Sequence, residues 1–357
     1  MSFPIPPTFL EEEAHRVQEN LRHGRRCRQW LWFFLVISVM LNLVFYGLLS
    51  LRSHGLWYRQ HRRSHEAPSS VFVERYLSGD RKSEHKIAVI RLEGIISSEA
   101  EGHVGYDGMV GDLKEEFRLA LEDDAIKAII LKIDSPGGEV LASDEIYRCV
   151  RETCLKKPVV CSMGSVAASG GYYAAMGSRW IIADNLTITG SIGVIMATLN
   201  YKDLFGKIGL KSLVFKSGKF KDLLNGSRDP TPEEITLVQN LVMETYEQFL
   251  GIVAKERKLN PDQLRNGIAD GRIFSGKQAF ELKLIDQIGT FKDAIQKAKN
   301  LASIPDAQVL DYVVPFSLSN LLGIFAESHA PKIQLELEPH LFKLQQGKLY
   351  YLSFHLF

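Results

Sequence analysis

Residues 125–173 read AIKAIILKIDSPGGEVLASDEIYRCVRETCLKKPVVCSMGSVAASGGYY. The first nine residues, 125–133, are apolar and β-rich and predict a strand, followed by the turn Asp134-Ser135-Pro136-Gly137-Gly138. A helix is predicted over 140–155, a strand over 158–162 and another helix after Ser169. Strands separated by helices need crossovers, which favour parallel pairing with helices covering the sheet. The fold class is therefore α/β with a mostly parallel sheet.

Working outward, a strand is expected at 87–92 and a helix near 112–124, then strands at 180–183, 192–196 and 211–215 with a helix at 201–208. Thr231-Pro232-Glu233-Glu234 supplies an N-cap, a proline in the first turn and a capping-box glutamate, and apolar residues recur from 235 to 253. That pattern predicts a long packing or subunit-interface helix. Further helical signals fall at Gln263, 276–282 and 291–301. No segment repeats at a fixed period, so residues 86–310 read as one catalytic domain, with 311–357 as a C-terminal tail.

Residues 30–51 form a run of 22 residues without a charge. As a helix it would span roughly 33 Å, enough for a bilayer core. It is longer than a signal-peptide core and no small-x-small site follows, so a retained transmembrane anchor is expected. Residues 1–29 then form an N-terminal tail and residues 52–85 a juxtamembrane linker, read first as a solvated segment and second as one whose Arg59, Arg62 and Arg63 touch anionic lipid headgroups. Arg22, Arg25, Arg26 and Arg28 before the run balance Arg52, Arg59, Arg62 and Arg63 after it, so positive charge does not orient the span.

The 357 residues carry a formal net charge of +1 and no basic stripe interleaved with aromatics, which argues against nucleic acid as a partner. Cys27, Cys149, Cys154 and Cys161 lack metal-ligand spacing and read as packing thiols; no metal site or cofactor is expected. The ten histidines leave residues 104–328 without one, which excludes a Ser-His-Asp triad within the α/β core. A nucleophilic serine there needs a lysine, a carboxylate or a histidine from an end of the chain as its base.

Gly164-Ser165-Val166-Ala167-Ala168-Ser169-Gly170-Gly171 puts Ser169 among small residues where a helix should begin. Unpaired N–H groups at a helix start can hold the oxyanion that forms when a serine attacks a carbonyl. Small residues before a helix also arise for tight packing alone. Gly138, in a turn between strand and helix, is a second candidate oxyanion donor, beside the plainer reading of a Pro-Gly turn.

Together, from Lys86 to Gly289, these segments resemble the signal peptide peptidase A family, serine-lysine peptidases with the Clp protease and crotonase fold. The resemblance implies Ser169 in Ser-Gly-Gly-Tyr-Tyr as nucleophile and Lys221 in Ser217-Gly218-Lys219-Phe220-Lys221-Asp222 as general base, 52 residues apart as in the short, single-domain form. It implies Ser191, in Thr189-Gly190-Ser191-Ile192-Gly193, as the hydroxyl that orients the lysine, and Gly138 and Gly170 as oxyanion donors. The block 269–276 is similar to one lining the core near the site. Chemistry alone does not choose between Lys219 and Lys221; the register of the resemblance selects Lys221 and leaves Lys219 a surface charge. A free lysine titrates near ~10.4, so the base needs a desolvating pocket, and Asp222 is expected to face away from it.

The resemblance further implies peptide substrates, above all signal peptides left in the membrane, and an active domain outside the cytoplasm of a bacterial cell. It implies a homo-oligomer enclosing the sites, and a C-terminal tail that can approach them. Alternatives are a related serine-lysine peptidase acting on other membrane proteins, an inactive membrane scaffold, and a crotonase-like acyl-CoA enzyme. The last would need neither Lys221 nor an anchor.

Overall fold

A computed structural model of the chain describes residues 35, 37–42, 45, 71–98, 108–315 and 349–352. The chain divides into two units, residues 1–69 and 70–357. In the first, residues 35, 37–42 and 45 are helical and exposed; the rest of the 30–51 run, the N-terminal tail and Cys27 lie outside the described residues. Among the described residues no helix is long and apolar enough to cross a membrane.

The second unit carries the sheet. In chain order its strands are β1 (Val73–Gly79), β2 (Lys86–Glu93), β3 (Ile126–Ser135), β4 (Gly137–Glu139), β5 (Val159–Ala168), β6 (Trp180–Ala183), β7 (Ile188–Gly190), β8 (Ile273–Ser275), β9 (Gln287–Ile288), β10 (Gln308–Val313) and β11 (Tyr350–Leu352). Nine of them form one sheet, along the path β1-β10-β2-β3-β5-β6-β9 with β7 on β5 and β8 on β7. All pairs are parallel except β1 with β10 and β7 with β8. The central β3, Ile-Lys-Ala-Ile-Ile-Leu-Lys-Ile, is buried at nearly every position, as a parallel strand covered on both faces must be.

The helices of this unit with six or more residues are α1 (Gly108–Glu122), α2 (Val140–Cys154), α3 (Gly170–Ala175), α4 (Lys202–Lys207), α5 (Pro232–Arg257), α6 (Gly276–Glu281) and α7 (Phe291–Ala302), with a short helical turn and a π-helical turn at Pro261–Gln263 and Leu264–Ile268. On α1 the buried Met109, Val110, Leu113, Phe117 and Ala120 recur at helical spacing, as do Ala142, Ile146, Tyr147 and Val150 on α2. Alternate residues of the strands build two cores. Ala88, Ile90, Ile129 and Leu131 join α1, α2, α3 and α5 on one face; Ile87, Val89, Ala128 and Ile130 meet Ala294 and Ala298 of α7 on the other.

The sheet departs from expectation in three places. β1 lies within the stretch read as linker and pairs with β10, which continues to Val313 in the stretch read as tail. Arg75 of β1 and Arg91 of β2 both donate to the buried carboxylate of Asp311 on β10, at 2.6–2.9 Å and 3.3 Å. Residues 192–196 and 211–215 are not strands, although Ile195 makes a single bridge to Tyr350; Leu213 and Phe215 stand exposed. β-Favouring residues make a strand only where a neighbour offers a ladder. α5 starts as its sequence predicts: Thr231 accepts from the Glu234 N–H, and the Glu234 carboxylate accepts from the Thr231 N–H at 2.8 Å.

Candidate active site

The site forms at the carboxyl ends of β3 and β5, where open parallel sheets present their crevices. Between the pairs Ile133↔Met163 and Ser135↔Ala167, β5 carries two extra residues relative to β3. Asp134 fills the resulting bulge, accepting the Val166 N–H at 3.0 Å, with Gly164 against its side chain. The bulge carries β5 past the end of the sheet proper, so that Ala168 pairs with Gly190 and the chain turns sharply at Ser169.

Ser169 occupies the N-cap of α3 with φ 53° and ψ −116°, in a region that side chains rarely enter. Its N–H donates to the Gly190 carbonyl (2.8 Å) and its carbonyl accepts from the Tyr173 N–H (2.8 Å), so both sides of the turn are held. The hydroxyl is buried and has no hydrogen-bond partner among the described residues. A buried hydroxyl without a partner is costly in a merely structural role. Behind it, Tyr172 and Tyr173 anchor α3 by donating to the Leu284 carbonyl (2.8 Å) and to Asp144 Oδ1 (2.7 Å).

Gly137, Gly138 and Gly170 come together in front of Ser169. A methyl at Gly137 would stand 2.7 Å from the Gly170 nitrogen and 3.1 Å from Ser169 Cβ; one at Gly170 would stand 3.1 Å from the Gly138 nitrogen. The Gly170 N–H, first in α3, has no carbonyl partner within the helix. On its far side β4 is locked to Ile96: the Gly137 carbonyl accepts the Ile96 N–H (2.8 Å) and the Glu139 N–H donates to the Ile96 carbonyl (2.9 Å). Because strand groups alternate, the Gly138 N–H points the other way, across the cradle. The role of Ile96 has no side-chain signature and was not visible in the sequence.

Ser191 is brought close to the nucleophile's turn, since its predecessor Gly190 holds the Ser169 N–H. It too is buried with positive φ (50°), and its N–H donates to the Arg272 carbonyl at 2.8 Å, in the 269–276 block. Lys221 is different. It lies in an irregular, exposed stretch, and among the described residues its amine makes no hydrogen bond or ion pair; the structure does not join it to Ser169. Lys219 pairs with Glu233 at the surface. Asp222 gives its carboxylate to Arg228 (2.9 Å) and Lys216 (2.7 Å), which hold it well below the usual carboxylate range, and Arg228 likewise draws Glu234 down to about 2. Beyond this network lies a cavity of about 350 Å³ lined by Met196, Leu199, Leu223, Leu224, Ile235 and Val238.

A buried serine hydroxyl on a strained strand-to-helix turn, beside a cradle of glycines, is equipped for acyl transfer, and on this layered sheet it defines a serine peptidase. Residues 152–305 match peptidase family S49, and residues 109–183 match the Clp protease family, in keeping with the mostly parallel α/β sheet. The chain belongs to peptidase family S49, as a peptidase of the signal peptide peptidase A type. It is 44% identical over 229 residues to a protein named as a protease from Synechocystis, covering 64% of this chain and 79% of that one. It is 36% identical over 239 residues to a protein named as a signal peptide peptidase from Enterococcus faecium, covering 64% and 67%. A chloroplastic serine protease of Arabidopsis thaliana is 38% identical over 237 residues, 65% of this chain and 35% of that longer one.

Proposed function

We propose that the protein is a membrane-anchored endopeptidase that degrades apolar peptides, remnant signal peptides foremost, through a Ser169–Lys221 dyad and an acyl-enzyme. Lys221 takes the Ser169 proton as the hydroxyl attacks the peptide carbonyl, Gly138 and Gly170 N–H groups receive the oxyanion, and Lys221 then protonates the leaving amine. Water resolves the acyl-enzyme. Ser191 orients the amine. The observation that carries this reading is the buried, unpartnered Ser169 hydroxyl beside the glycine cradle.

Lys221 must shed water to act as a base, and in the single chain it is exposed. Cover for it comes from assembly or substrate. Leu204, Ile208, Leu213, Phe215 and Ile235 leave an exposed apolar surface along the same region, which supports a homo-oligomer that encloses the sites. The uncharged run at 30–51 supports a single-pass anchor in a bacterial cell membrane, with the catalytic domain outside the cytoplasm.

The test is hydrolysis of an apolar fluorogenic peptide by the full chain in detergent micelles across pH. Ser169→Ala and Lys221→Ala should each lose at least ~10²-fold in kcat, and Lys219→Ala should stay within about twofold. A folded Lys221→Ala protein that keeps its activity overturns the assignment of the base. A folded but inactive wild type favours the scaffold reading.

A further inference from the structure

Gly138, proposed above as an oxyanion donor, follows Gly137 at φ 104°, so β4 carries two successive residues whose backbone no side chain restrains. A donor on such a segment has to be held from outside. Part of the hold continues the sheet. Beyond Glu93, the last residue of β2, the chain keeps running beside β3 and β4: the Gly94 N–H donates to the Asp134 carbonyl at 3.0 Å, and Ile96 makes its two bonds to Gly137 and Glu139. From within the turn, the Ser135 hydroxyl accepts the Gly137 N–H at 3.1 Å. Ile96 is fully buried, and two residues further on Ser98 is exposed.

Glu139 closes the end of this arrangement. A single carboxylate oxygen, Oε2, accepts both the Ser98 N–H at 3.2 Å and the Ser98 hydroxyl at 2.5 Å. Glu139 is also the N-cap of α2, with φ −61° and ψ 136°, yet its side chain makes no capping bond to that helix. Serine, threonine, aspartate or asparagine would cap it better. The side chain reaches back to Ser98 instead. The residue is 7% exposed, and a buried carboxylate is costly unless it is bonded. The first turn of the 15-residue α2, which starts at the next residue, favours the negative charge. The Glu139 carbonyl is held as well, accepting the Ser143 hydroxyl at 2.8 Å. One residue after Gly138, the chain is thus fixed at an N–H, a carbonyl and a carboxylate.

We infer that Glu139 is a positioning residue for the peptidase reaction: by clasping Ser98 it locks β4 to the extension of β2 and sets the direction of the Gly138 N–H. The inference rests on the peptidase reading and adds to it a residue that works through Gly138. Without the carboxylate, β4 keeps its bonds to Ile96 and Ser135 but loses the brace at its far end, and the glycine pair samples more orientations. The loss falls on the oxyanion, which forms only as the carbonyl is attacked, and spares binding of the intact peptide. Glutamine keeps an acceptor oxygen for Ser98, so it preserves the clasp without the charge.

The test uses the full chain in detergent micelles and two probes. One is the tripeptide aldehyde acetyl-Leu-Leu-leucinal, whose carbonyl carbon bonds to the Ser169 oxygen and leaves its own oxygen where the oxyanion forms. The other is the corresponding alcohol, which binds without an adduct. Glu139→Ala should weaken the aldehyde about tenfold or more and lower kcat for an apolar fluorogenic peptide by a similar factor, part of the ~10²–10³ that an oxyanion donor is worth. The alcohol's affinity and KM should stay within about twofold, and Glu139→Gln should recover aldehyde binding and kcat to within about threefold of wild type. Adding Ser98→Ala to Glu139→Ala should change nothing further, since both act in one contact. Equal weakening of aldehyde and alcohol, as a merely structural role would give, overturns the inference, and so does a glutamine variant no better than alanine. If Glu139→Ala does not fold, Ser98→Ala takes its place, with an expected loss of about threefold in aldehyde binding alone; no loss there overturns the inference. A wild type that binds the aldehyde no tighter than the alcohol brings down the peptidase reading itself, and this inference with it.

Discussion

Gly170→Ala separates the oxyanion cradle from ordinary packing. The new methyl would collide with Ser143 Oγ and stand 3.1 Å from the Gly138 nitrogen. Ser143 is fully buried and donates to the Glu139 carbonyl at 2.8 Å, so it cannot swing aside without breaking that bond. Overpacking of this kind costs about 1–3 kcal/mol and a lost hydrogen bond about 1 more. At ~2–4 °C per kcal/mol for a domain of this size, the melting temperature should drop by several degrees. Gly170→Ala with Ser143→Ala removes the collision and should restore most of the stability. Hydrolysis should not return, because the methyl still covers the Gly138 N–H; misplacing one oxyanion donor costs ~10²–10³ in kcat. Melting followed by circular dichroism and peptide hydrolysis on the same samples gives both readings. A double variant with wild-type kcat would refute the placement of the oxyanion at Gly138 and Gly170.

Three further outcomes are expected. Burial, reinforced by Asp112 and Asp311 and opposed by Arg91, pushes the Glu116 carboxyl up to about 8. A folded pKa above the unfolded value gives stability that is complete below ~4.3 and lost as pH rises through about 8, so the melting temperature should fall between pH 5 and 9 and Glu116→Gln should flatten that fall. Thr231→Ala removes the cap of α5 and should cost about 1 kcal/mol in a urea titration, without changing kcat by more than about twofold. Arg228→Met releases Asp222, the neighbour of Lys221, from its bidentate partner and leaves the buried Glu234 carboxylate without its guanidinium, so the melting temperature should fall by several degrees or more; read well below that temperature, kcat should drop more than tenfold, and unchanged kcat would separate this network from the base.

The alternation of strand and helix from 86 to 310 was legible because β3 and β5, buried on both faces, read as apolar runs and the helices repeat at their own period. β1 was missed for the opposite reason. Its residues are almost all exposed at the sheet edge, so Val-Glu-Arg-Tyr-Leu-Ser reads as polar linker, and its attachment through Arg75 to the buried Asp311 joins residues 236 positions apart. Residues 211–215 failed in reverse: Leu213, Val214 and Phe215 have the composition of a strand and no ladder to join. Ser169 and Gly138 could be picked out by the glycines and small residues around them. Ser191 and Lys221 could not, since nothing local marks either as part of a site, and only the resemblance assigned them.

The backbone at Ser169 has a further consequence for anyone who would engineer this chain. With φ at 53° and ψ at −116°, position 169 is one that glycine would occupy at ease. Strain of this kind amounts to about 1–3 kcal/mol, more than the ~0.5–1 kcal/mol of chain entropy that a glycine forfeits. Ser169→Gly should therefore outlast Ser169→Ala on heating, since both lack the hydroxyl and only one relieves the turn. A campaign that ranked variants by heat resistance alone would drift toward glycine at 169 and discard the nucleophile, so thermal selection and catalytic selection pull this position in opposite directions.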